Sequence, residues 1–124
     1  MLAQPNRLRR RTDFVRVTRT GHRSTRGCLV AYLEPAGEAG SGSRVALPPR
    51  VGFVVGKTVG GAVARNAVTR RLRALARERL DRLPAGTSLV VRALPAAATA
   101  DIGRLGADLD ACLDRLLTPP VVAP

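Results

Sequence analysis

Residues 62–83 contain neither proline nor glycine, and Ala, Leu and Arg dominate them. All three residue types favour helix, so the stretch predicts one long helix that Pro84 and Gly86 bring to an end. Val68, Leu72 and Leu75 recur at i, i+4 and i+7 and make an apolar stripe. Asn66, Arg70, Arg73 and Arg77 recur at i, i+4, i+7 and i+11 on a neighbouring face, with Arg65 at its edge. One side of this helix can therefore sit on a core, while the other presents a row of guanidinium groups. Glu78 and Asp81 come only at the end, so no Glu-to-Arg ladder neutralises the row. A merely solvated face is the alternative. The scarcity of acids favours a face that binds a polyanion.

The whole chain leans the same way. Its 124 residues suffice for one domain. Lys and Arg total 21 against 9 Asp and Glu, a net charge of +12, which points to nucleic acid before a membrane surface. All but one of the basic residues are Arg, suited to bidentate phosphate contact. The excess lies in residues 1–83, since residues 84–124 hold three arginines against four aspartates. Phe14, Tyr32 and Phe53 are the only aromatic residues, which argues against an RNA binder built on many stacking rings. Cys28 and Cys112 lack metal-type spacing, and the basic N-terminus lacks an apolar signal core. Two buried thiols in a cytoplasmic protein are the expectation, with no membrane span.

Taken in order, residues 1–11 read as a flexible basic arm. Thr12 is the expected N-cap of a helix over residues 13–20, ended by Gly21. His22, the only histidine, has no second ligand or carboxylate near it in sequence and reads as a loop residue. Residues 28–33 predict a strand, and residues 34–49 a mobile connection rich in Gly, Pro and Ser. Residues 50–55 predict a second strand, extended backwards if residues 45–47 join it. The long helix follows, then a β-branched strand over residues 87–94 and a helix over residues 101–117. Ile102, Leu105, Leu109, Leu113 and Leu116 stripe that last helix. Residues 118–124 read as a flexible tail. The expected fold is an α/β, α+β-type sandwich: three helices on a small central sheet, in the order α-β-β-α-β-α, with the first strand region open to splitting into a hairpin.

Gly52-Phe53-Val54-Val55-Gly56-Lys57-Thr58 imitates a nucleotide-binding P-loop but fails on spacing. That motif needs four residues between its first glycine and Gly-Lys-Thr; here there are three, and they are strand formers. The segment reads better as a loop feeding a helix N-terminus, where free N–H groups, Lys57 and Arg65 favour an anion. A plain flexible linker is the alternative. No Ser-His-Asp set, Cys-His pair or acidic metal cage is legible, so neither catalytic nor metal-binding residues are assigned.

Gly60-Gly61-Ala62-Val63-Ala64-Arg65-Asn66, followed by Arg70 and Arg73, resembles the Arg-Asn helix and upstream loop of the bacterial ribonuclease P protein family. Arg7-Leu8, Asp13-Phe14 and Gly21 match that family's N-terminal pattern in order, and Tyr32 falls at its strand tyrosine. The resemblance covers residues 7–117, nearly the whole chain. It implies a sheet of at most four strands, a left-handed strand-helix-strand crossover and a single domain over residues 1–124. It also implies a function: assisting a catalytic RNA in removing the 5′ leader of precursor tRNA, with Mg²⁺ bound through RNA phosphates. On this resemblance Arg9, Arg10, Arg11, Lys57, Arg65, Asn66, Arg70, Arg73 and Arg77 contact RNA. Phe14, Val30 and Tyr32 line a cleft for the leader. Thr18 stands where the family's first helix usually offers a second ring, and Thr69, Gly61 and Ala67 also depart from its pattern. The partners implied are the catalytic RNA and precursor tRNA, with no protein partner. A structural or ribosomal RNA-binding protein is the rival from another class; a nucleotide-dependent enzyme is disfavoured by the failed P-loop.

If the arm and helix neutralise about four to six phosphates, log K for RNA should fall against log salt with a slope of about −3 to −5. Arg65→Ala or Arg70→Ala should each flatten that slope by about one unit without unfolding the protein. A wild-type slope shallower than about −1 would remove the arginine face as the binding surface.

Overall fold

The computed structural model describes residues 6–8, 10–35 and 48–117. Arg9, most of the basic arm's first residues, the connection through residues 36–47 with its expected strand extension at 45–47, and the tail 118–124 lie outside the described residues. The elements are α1 (Arg11–Thr20), β1 (His22–Arg26), β2 (Leu29–Glu34), β3 (Arg50–Val54), α2 (Ala62–Glu78), β4 (Ser88–Ala93) and α3 (Ile102–Leu117). Short 3-10 turns occupy Leu80–Arg82 and Pro95–Thr99. The four strands form one sheet in the order β1-β2-β4-β3; β3 and β4 run parallel, joined through α2, and the other pairs are antiparallel.

Three expectations need correction. Residues 22–26, given no element from sequence, form an edge strand, and His22, expected in a loop, opens it. Its sequence, His-Arg-Ser-Thr-Arg, buries only Ser24, so no apolar alternation announces it; pairing with β2 makes the strand. Helix α1 begins at Arg11, with Arg10 in the cap position and no side-chain cap, so Thr12 lies inside the helix. Helix α2 stops at Glu78 instead of running to Leu83. Beyond it the chain tightens into the 3-10 turn, and Arg79 and Arg82 reach across to Asp110 and Asp114 of α3.

The sheet has a core on each face. Leu29, Ala31 and Leu33 of β2, Leu89, Val91 and Ala93 of β4, and Val51 of β3 face α2 and α3, where Val68, Leu72, Leu75, Leu105, Leu109 and Leu113 cover them. The opposite face carries a smaller cluster of Leu8, Val17 and Val90, bordered by Phe14, Tyr32 and Val54. The alternation follows from the two-residue period of strands. Chain entry is tied to this frame: the Leu8 N–H donates to Val51 O at 3.0 Å beside β3.

A buried carboxylate fastens the β1–β2 hairpin to α3. Gly27, at φ +53°, opens the two-residue turn, and the Cys28 N–H donates to Asp108 Oδ2 at 2.9 Å. A Cβ on Gly27 would stand 2.4 Å from that oxygen. Burial pushes the Asp108 carboxyl up, but hydrogen bonds from Cys28 and Arg104 outweigh it and hold the group below its ordinary range. Asp110 is held low as well, mainly by Arg79. A carboxyl whose folded-state pKa is depressed contributes stability above its unfolded value of about 4, and that contribution drains away as pH falls through the folded value. Urea unfolding should therefore show stability falling as pH drops below about 4, less steeply in Asp108→Asn. Asp108→Ala should cost about 1–3 kcal/mol at neutral pH by leaving a buried N–H unpaired. Gly27→Ala should destabilise through both the positive φ and the carboxylate clash.

Candidate nucleic-acid interface

Two surfaces collect the candidate residues. The first lies where α1 crosses the sheet. Strand register orders the side chains beneath it into rows, because directly paired residues share a face. One row runs Arg23, Tyr32, Val90, Gly52; the next runs Thr25, Val30, Arg92, Val54. The α1 residues Val17 and Phe14 sit against the first row. Val17 is fully buried with Val90, and Phe14 lies over Gly52, where a Cβ would stand 2.4 Å from the ring's Cζ. Gly52, the first glycine of the false P-loop, is thus the seat of a phenylalanine. Arg16 holds α1 in this position by donating from Nε to Glu34 at the end of β2, at 3.0 and 2.9 Å, and from an Nη to Asp13 at 2.7 Å.

Phe14 and Tyr32 therefore border one cluster and stay half-buried, whereas Val30 on the same sheet face is buried. Arg92 is exposed between Val30 and Val54, and Arg23 is exposed beside Tyr32. Sequence reasoning missed both arginines as members of this face. Only strand pairing places them there; in the sequence each is one charge in a polar or apolar run. Arg10 and Arg11 are exposed at the start of α1.

The second surface is α2. Val68, Leu72, Leu75 and Ala76 bury its apolar stripe. Asn66, Arg70 and Arg77 are exposed, and Arg65, Arg71 and Arg73 are half-buried. The helix enters from a closed turn in which Val59 is buried and its N–H donates to Gly56 O at 3.1 Å. Gly60 then takes φ +150°, and Lys57 is exposed on the turn. The loop is an anchored turn, which answers the linker alternative.

Charge on and just after α2 is divided. Arg79 makes a two-point contact with Asp110, Nε at 2.6 Å and an Nη at 3.1 Å, and Arg82 pairs with Asp110 and Asp114. No ion pair is made by Arg65, Arg70, Arg71, Arg73 or Arg77 among the described residues. The Nε of Arg65 is buried without a hydrogen-bond partner, which native proteins seldom tolerate. The first turn of α2 has no acidic residue and no side-chain cap, although the helix dipole favours negative charge there. This end of the helix is electrostatically incomplete by itself and suited to an anion. Among the described residues no group of three or more His, Cys, Asp or Glu side chains can hold a metal, and no helix is long and apolar enough to cross a membrane.

The ribonuclease P family model matches residues 2–117. This chain belongs to the ribonuclease P protein family. The ribonuclease P protein component of Streptomyces griseus is 54% identical over 120 residues, covering 94% of this chain and 96% of the relative. That of Salinispora tropica is 49% identical over 131 residues, covering 96% of each. The ribonuclease P protein fold is shared with the solved Staphylococcus aureus protein, at TM-score 0.75 and 21% identity over 91% of this chain and 98% of that one. A second S. aureus structure, of a mutant with defective mRNA degradation activity, aligns at TM-score 0.74 and 23% identity over 89% of this chain and 86% of that one.

Gly52→Ala should unseat Phe14 and cost about 1–3 kcal/mol, as overpacking in a filled site does. Thermal unfolding of the variant checks this; an unchanged melting temperature would mean that Phe14 does not depend on Gly52.

Proposed function

We propose that this ribonuclease P protein binds the 5′ leader of precursor tRNA on the α1 face of its sheet and lays the arginine face of α2 against the catalytic RNA. The observation that carries this reading is the division of charge. Arginines after the end of α2 are matched by aspartates of α3, while those along its exposed face have no acidic partner among the described residues. An RNA backbone supplies the missing charge. Half-buried Phe14 and Tyr32, with Arg23 and Arg92 beside them, suit a single strand whose bases meet rings and whose phosphates meet guanidinium groups. The protein's chemical contribution is then positioning and charge: it reduces repulsion between two polyanions, so less Mg²⁺ is needed to bring them together. Mg²⁺ belongs in this reading to the RNA phosphates, and the hydrolysis to the RNA subunit. The free, buried thiols of Cys28 and Cys112 suit the cytoplasm.

Precursor-tRNA cleavage should be compared across a Mg²⁺ series for protein alone, RNA subunit alone and both together. The expected results are no cleavage, cleavage only at high Mg²⁺, and cleavage at low Mg²⁺. In the complete mixture, Tyr32→Ala should weaken precursor binding about tenfold and leave mature tRNA unaffected. Leader removal by RNA-free protein would overturn the reading. An unchanged Mg²⁺ requirement would make the chain a structural RNA-binding protein instead.

A further inference from the structure

A cleft of about 550 Å³ opens between α2 and the first turn of α3, lined by Ala67, Ala74, Ile102, Arg70, Arg71 and Arg73. We infer that this cleft is a nucleotide pocket: it takes one unstacked base of the partner RNA, seated on Ala67, Ala74 and Ile102, with the flanking phosphates on Arg70, Arg71 and Arg73. The inference rests on the reading of α2 as the face that meets ribonuclease P RNA, and adds to it a contact with a base.

Its size falls within the range of small-molecule sites, about 300–1,000 Å³. Ala67 and Ala74 stand one heptad apart on α2, and their short side chains leave the hollow. Ile102 is 51% exposed, an apolar side chain left in water at the rim of a basic face. A phosphate-binding surface alone needs no such floor; a base does. The three arginines make no ion pair among the described residues, so they are available to phosphates. The aromatic residues are elsewhere: Phe14 and Tyr32 border the α1 side of the sheet, and Phe53 packs against the main core. A base on this side must therefore be held by aliphatic contact with Ala67, Ala74 and Ile102, and RNA loops and bulges supply bases splayed out for such contact.

The test is binding of the full-length protein to a ribonuclease P RNA transcript, with nucleotide-resolution chemical probing of the complex. Ala74→Leu fills the cleft and Ile102→Ala removes part of its floor, and neither alters charge. Both should weaken binding about tenfold with an unchanged salt slope, whereas Arg70→Ala should flatten the slope by about one unit. One unpaired nucleotide should be protected by the wild-type protein and become reactive again with Ala74→Leu. Circular dichroism and melting show that each variant is folded, and Ile102→Ala adds no bulk that could clash with RNA. Folded variants whose affinities and footprints both match the wild type would overturn the pocket and leave the parent reading standing. A wild-type protein that ignores this RNA would overturn the parent reading and the pocket with it.

Discussion

Strand β4 is enclosed on both faces and both edges, and the placement of β2, β3, α1 and α2 follows from that enclosure. It pairs with β2 on one side and β3 on the other. Leu89, Val91 and Ala93 face the α2/α3 layer, and Val90 lies under Val17 of α1. Each such Leu or Val side chain removed from water contributes about 1.5–3 kcal/mol. The strand's only exposed residue is Arg92. A strand so enclosed fixes the position of α1 on one face and α2 on the other, and with them the two basic surfaces.

The two surfaces are built differently. On α1, the ion pairs of Arg16 with Glu34 and Asp13 orient the helix, although exposed pairs of this kind add little stability. Their consequence is geometric: Phe14 stays over Gly52 and Tyr32 stays half-buried beside it. On α2, the charges that could strain the fold are left without partners, and the buried leucine stripe bears the cost. Its far end is secured by Arg79 and Arg82 on α3, so the helix is held at one end by protein acids and left unmatched along its outer face.

Much of this was legible in the residues. Composition and helical spacing indicated the arginine face, its buried Val68-Leu72-Leu75 stripe and the final leucine helix, because each depends on a local period that survives in the sequence. The resemblance led to the family through Arg65-Asn66 and its loop. Strand β1 was not legible, since Ser24 is its only buried residue and pairing with β2 supplies its order. The end of α2 was not legible either: nothing in the unbroken helix-forming run marks a stop at Glu78, and only α3 brings Asp110 and Asp114 to Arg79 and Arg82.

The sequence by itself determined which segments carry an apolar side, where positive charge accumulates and where glycine breaks regular structure, because these are properties of near neighbours along the chain. Only the tertiary structure decided which arginines are matched and which are open to a partner. It alone placed Arg23 beside Tyr32 and Arg92 beside Val30, made Gly52 the seat of Phe14, and opened the cleft that Ile102 lines. Each of these depends on groups distant in the chain meeting at a few ångströms. Strand register and helix packing set those meetings, and neither is written in the spacing of one segment.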